Sequence, residues 1–181
     1  MRATDVAEKL LMYYSLGLSD RQLSNMKLNM MMYYMQAYYL VNKGEPAFAD
    51  PIEAWKNGPV VRVVYDKYRG NGKDLIPIPI FGIEDLKPNE DEIYLLMCSM
   101  FRGKSAISML RKFKKSSNPW SEAYSDYPNK TISHDELKRF FSLPENHMTT
   151  VEEMKNTRHN RKYSKLKEVH ERPTGHGSKI S

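Results

Sequence analysis

Apolar residues recur at helical spacing along most of the first 142 positions. Val6, Leu10, Tyr13 and Tyr14 fall on one face, with Thr4 as N-cap, Asp5 and Glu8 near the start and Gly17 as a stop. Ser24 offers the next cap. The run Lys27 to Val41 then has no Pro or Gly. Leu28, Met31, Met32, Met35 and Tyr39 make one stripe of it, and Met30, Tyr33, Tyr34, Ala37 and Val41 fill much of the rest. A helix that is apolar nearly all round is buried on several sides, which makes this the central helix. Its methionines read as core filler, with an adaptable binding surface as the alternative.

Asp50, Pro51 and Glu53 match the N-cap, first position and third position of a short helix up to Trp55. Asn57-Gly58 makes a corner, and Pro59 starts another helix with Val60, Val64 and Tyr68 on one face. IPIPIF (76–81) alternates, but its two prolines forbid a central strand, so an extended surface segment is expected. The next helix begins near Asp91 and Glu92 and buries Ile93, Leu96, Met97 and Met100. Residues 105–113 form a further helix with Ile107, Leu110 and Phe113 inward, and SSNPW breaks it. Ser133 and Glu136 cap a last helix that turns Leu137, Phe140 and Phe141 inward. The pattern predicts about six helices and no strand. The expectation is a mainly α, compact multi-helix domain over 1–148 with a central buried helix.

After Pro144 the hydrophobic density collapses. Residues 149–181 are expected to form a basic tail, partly disordered or ordered by a partner, with an amphipathic helix over 149–166. The net charge of +6 is concentrated there: eight Lys/Arg stand against four Glu in 149–181, so the body is nearly neutral. Cys98 is the single cysteine, which excludes an intrachain disulfide and lends no support to a Cys-based metal site. No signal peptide or membrane span is legible, so a cytoplasmic protein with no membrane partner is expected.

Candidate chemistry is sparse. Cys98 lies among apolar neighbours and reads as core packing. His134 reads as a helix-start residue, and His170 and His176 lack a zinc spacing. Gly70-x-Gly72 is not a phosphate loop. Asp85, Glu90, Asp91 and Glu92 read as a solvated helix start. No catalytic residue, metal or cofactor is expected. The basic run is the exception. Arg102, Lys104, Arg111 and Lys112, together with Arg158, Arg161, Lys162 and Lys165 of the tail, are candidate nucleic-acid contacts, although no known binding motif frames them. A solvated basic face is the plainer reading.

Longer motifs carry more information. Lys27, Leu28, Tyr33, Tyr34 and Gln36, then Gly44, Pro46 and Phe48, then Glu53, Ala54, Trp55, Gly58, Pro59, Val60, Val64 and Tyr65 stand in an ordered, specific spacing. In these residues the chain resembles the Panacea domain, the SocA/GepA-like family of bacterial and phage-associated proteins, over roughly residues 4–142. The resemblance implies a non-catalytic antitoxin that neutralises a toxin by direct binding, in one form as an adaptor that delivers the toxin to a protease. An inhibitor of a host defence or nuclease complex is an alternative in the same setting. The chain departs from the family pattern at Asn29, at Met30 and at Lys114-Lys115 while keeping Pro119-Trp120. With the motif aromatics, these departures make Met30, Tyr33, Tyr34, Trp55, Lys114, Lys115 and Trp120 the candidate partner contacts.

Overall fold

Ser24 opens the central helix, its hydroxyl accepting the Lys27 N–H. The helix α2 (Asn25–Asn42) buries 14 of its 18 residues. The computed structural model describes residues 1–17, 23–77, 88–127 and 129–157. Around α2 stand α1 (Ala3–Gly17), α3 (Arg62–Tyr68), α4 (Pro88–Phe101), α5 (Ala106–Lys115) and α7 (His134–Phe141), each in contact with it. Shorter helices α6 (Pro119–Asp126) and α8 (Val151–Asn156) complete the helical part. Three strands, β1 (Ile52–Trp55), β2 (Gly58–Val61) and β3 (Thr131–Ile132), form an antiparallel sheet in the order β2-β1-β3. The fold is mainly α, as the periodicity predicts. Among the described residues no helix is long and apolar enough to cross a membrane.

The sheet corrects the reading of 50–61. Asp50-Pro51-Ile52-Glu53 imitates a capped helix start, yet the chain forms a hairpin. Ile52 and Ala54 face inward and Glu53 and Trp55 face outward, a period of two rather than 3.6. Asp50 does cap a helix, but a distant one: its carboxylate accepts the Ala3 N–H at the start of α1, at 2.9 Å. β2 is an edge strand, where Pro59 removes no ladder bond that the sheet interior needs.

Buried amides of α2 hold the hairpin in place. Asn29 Oδ1 accepts the Val61 N–H at 2.8 Å, while its Nδ2 donates to Asn25 Oδ1 at 2.8 Å. Asn25 in turn donates to the Tyr65 carbonyl at 2.9 Å. The first of these bonds satisfies the Val61 N–H at the start of α3, which has no side-chain cap, and the last serves a carbonyl in its final turn. Gln36 clamps the loop before β1. Its amide donates to the Phe48 carbonyl at 3.0 Å and accepts the Phe48 N–H at 3.2 Å. It also donates to His134 Nε2 at 2.8 Å, so that ring nitrogen is the acceptor.

Gly58 follows the Lys56-Asn57 turn with φ at +118°, and a Cβ there would stand 2.9 Å from Met30 Cε. The methyl of Met30 can shift, but the backbone angle suits only glycine. Gly58→Ala is expected to cost about 1–3 kcal/mol, read as a fall of several degrees in the thermal midpoint.

Three further readings change. Ile107 points outward, 61% exposed, and Leu110 is only partly covered; Phe113 faces the core as expected, and Met109 joins it there. SSNPW is not only a break, because Asn118 caps α6 through a reciprocal box with Ser121 and places Pro119 at its start. The packed body also continues beyond 148. Thr150 caps α8, Met154 is buried, Val151 N–H donates to Tyr38 Oη at 3.3 Å, and Lys155 pairs with Glu92 at 2.7 Å. Residues 78–81 and 158–181, and with them much of the expected extended segment and basic tail, lie outside the described residues.

Candidate partner-binding site

Tyr33 and Tyr34 bring α2 to a cleft of about 400 Å³. Phe113 reaches it from α5, Phe140 and Phe141 from α7, and Met100 from α4. Residues 145–149, which follow α7, close the far side. This segment is braced by His147, whose Nε2 lies 3.2 Å from Glu153 Oε2 on α8, and by buried Met148. Glu153 also accepts the Thr150 N–H, and these bonds hold its carboxyl below the ordinary range.

Aromatic packing sets the cleft's inner surface. The Tyr33 ring meets Phe113 and Phe141 edge-on, at 5.3 and 5.8 Å between centroids. Tyr34 packs on Phe101 at 4.8 Å and on Phe141 at 5.7 Å. Tyr33, Phe113 and Phe141 are buried, whereas Tyr34, Met100 and Phe140 are half-covered and face the opening. Burial pushes the Tyr34 hydroxyl up to about 12 and the Tyr33 hydroxyl well above the usual phenol range. Both therefore remain neutral and act as apolar rings with a polar tip.

Lys112 stands at the cleft's edge. Partial burial, and after it the repulsion of the nearby Lys112 charge, pull the Lys104 pKa below the ordinary value. Lys104 also lies 5.4 Å over the Phe101 ring. Neither lysine forms an ion pair among the described residues. Arg111, Lys114 and Lys115 extend the exposed positive ridge along α5.

The seven candidate contacts are thus distributed among different environments. Met30, Tyr33 and Trp120 are core residues, with exposures of 0%, 0% and 2%, so none presents an open surface. Tyr34 lines the cleft. Lys114 and Lys115 are exposed on the ridge. Trp55 is half-buried on the hairpin, and its groups are engaged within the chain. Its Nε1 donates to Glu53 at 2.8 Å, Arg62 lies 5.1 Å over its ring, and Tyr65 packs 4.9 Å away. Glu53 also takes both Arg62 donors, at 3.0 and 2.8 Å. Of the candidate nucleic-acid contacts, Lys104, Arg111 and Lys112 are exposed and Arg102 is partly so. Arg158, Arg161, Lys162 and Lys165 lie outside the described residues. Phe113, Phe140, Phe141 and Met148 were not among the candidates. The signal of the three phenylalanines, inward apolar positions on two amphipathic helices, marks a core and does not reveal where that core opens, and Met148 lies on neither helix.

Cys98 is buried, and burial pushes its thiol up, away from the reactive range. Among the described residues no three His, Cys, Asp or Glu side chains gather as a metal site would require.

A helical domain wrapped around one buried helix, with a small hairpin sheet on one flank and an aromatic cleft on another, is the class that these features define. Residues 28–174 match the family model described as Antitoxin SocA-like, Panacea domain, and the chain belongs to that family. The match runs past the end at 142 expected from the motifs. Antitoxin SocA of Caulobacter vibrioides (strain NA1000 / CB15N) is similar to the chain, with 40% identity over 57 residues. That alignment covers 32% of this chain and 30% of the relative. No solved structure matches the chain.

Proposed function

We propose that the protein is an antitoxin that neutralises a cognate toxin by binding it directly, in the cytoplasm and without catalysis. The observation that carries this reading is membership, over most of the chain, in a family described as antitoxin-like. An ordered cleft with half-covered aromatic rings and exposed cations suits recognition of another protein. The toxin is the product of a neighbouring gene, and occlusion by the bound domain silences it. Delivery of the toxin to a protease is the other route, and it differs in outcome by shortening the toxin's half-life.

Co-expression with the neighbouring gene product tests the proposal. Growth is expected to be restored, and the two chains are expected to co-elute as a stable complex. Failure to rescue growth or to form a complex with that product would falsify the antitoxin reading. An unchanged toxin half-life in rescued cells assigns occlusion, and a shortened one assigns proteolytic delivery.

A further inference from the structure

We infer that the cleft between α2, α5, α7 and residues 145–149 receives an acidic segment of the partner protein carrying one bulky apolar side chain. The inference rests on the reading that the chain acts by binding another protein. Its volume, about 400 Å³, is at the small end for a ligand pocket and suits an anchoring side chain with its immediate neighbours. The surface that such an anchor would meet is Tyr34, Phe140 and Met100 at the mouth, with the buried Tyr33, Phe113 and Phe141 rings behind them. Anchors of this type, seated in well-packed pockets, dominate the energy of protein recognition.

Charge selects the flanking residues. Six Lys/Arg and no acid occur between positions 102 and 117. Lys112 lines the cleft and repels the nearby Lys104, and Glu145 is the one acid among the described residues that line it. Carboxylates on a docked segment would relieve that repulsion and be steered toward the ridge from a distance. The chain's own C-terminal residues are a poor occupant. Residues 158–181 contain seven Lys/Arg against two Glu, the same sign as the ridge. Nucleic acid would match the ridge's charge, but its bases stack on open ring faces. Here the Tyr33 ring is packed edge-on against Phe113 and Phe141, and all three are buried.

Fluorescence anisotropy on the full chain decides the matter. The probe is a labelled peptide with a central Trp-Leu pair flanked by Asp and Glu. Three controls accompany it: the same peptide with Ala-Ala at the centre, one with Lys in place of the acids, and a labelled oligo-dT strand. Two altered chains are compared, the double variant Lys104→Glu/Lys112→Glu and the cleft-filling Ser116→Trp; all three positions are exposed, so the fold is retained, which circular dichroism checks. The acidic Trp-Leu peptide is expected to bind, to weaken by about tenfold or more in each altered chain, and to weaken with salt. The Ala-Ala and Lys peptides are expected to bind at least about tenfold more weakly. The inference is overturned if the acidic peptide fails to bind, if Ser116→Trp leaves its binding unchanged, or if the Ala-Ala peptide binds equally well. It is also overturned if oligo-dT binds more tightly and is lost in the same variants, which makes the ridge a nucleic-acid site. A toxin complex that forms equally well with both altered chains removes the cleft assignment and leaves the antitoxin reading intact. No toxin complex with the unaltered chain removes the antitoxin reading, while the peptide result still decides the cleft.

Discussion

Gln36→Met is expected to lower stability by about 3 kcal/mol, seen in urea denaturation and as a fall of roughly 6–12 °C in the thermal midpoint. Methionine nearly matches glutamine in length, so packing changes little. What is lost is polar. The buried Phe48 N–H and C=O lose their side-chain partner, and His134 Nε2 loses its donor. Gln36 is fully buried, so water cannot readily replace the missing amide. His134→Ala removes only one of the three bonds and is expected to cost clearly less. Equal losses in the two variants would show that the clamp on Phe48 contributes little.

The second large effect is expected at Trp120. Its ring stacks on Tyr124 at 5.6 Å and meets Phe113 edge-on at 5.9 Å. Its Nε1 donates to the Trp55 carbonyl at 2.9 Å, joining α6 to the hairpin. Trp120→Ala should cost about 3–5 kcal/mol, the range for emptying a large aromatic site. Trp120→Phe keeps much of the ring contact and loses the hydrogen bond, so a loss of about 1–2 kcal/mol is expected from that bond. In hydrogen exchange, the amides of β1 and β2 should open faster in both variants. Unchanged exchange there would mean that the hairpin is held by α2 alone.

Local signals explain most of what was legible in the sequence. The length and apolar character of α2 announce burial on every side, and Ser24 and Ser133 cap the helices they were expected to cap. The hairpin was obscured because Asp50-Pro51-x-Glu53 satisfies a helix-start pattern whose real use is to hold the start of α1. Four-residue strands give alternation too few repeats to outweigh that pattern. Gln36 was visible only as a motif residue and Asn29 only as a departure from the motif, since their partners Val61, Phe48 and His134 lie 32, 12 and 98 residues away. The same distance in sequence hid the cleft. Tyr34 was selected as an aromatic candidate and Lys112 as a basic one, but nothing in either stretch indicates that α2 and α5 meet. Met30 and Trp120 illustrate the reverse limit, because motif residues that stand out in the sequence can serve the interior alone.

The first helix has a practical consequence for anyone who trims the protein to its recognised family segment. That segment starts at residue 28, after α1. Yet Tyr13 stacks on Tyr94 of α4 at 5.5 Å, Tyr14 receives the buried Lys27 ammonium, and Val6 and Leu10 are wholly covered. A fragment cut there would strip a whole wall from α4, lose Lys27, and leave Asp50 with no helix start to hold. Its newly bared apolar face would adhere to unrelated proteins, so pull-down experiments with it would report stickiness in place of recognition.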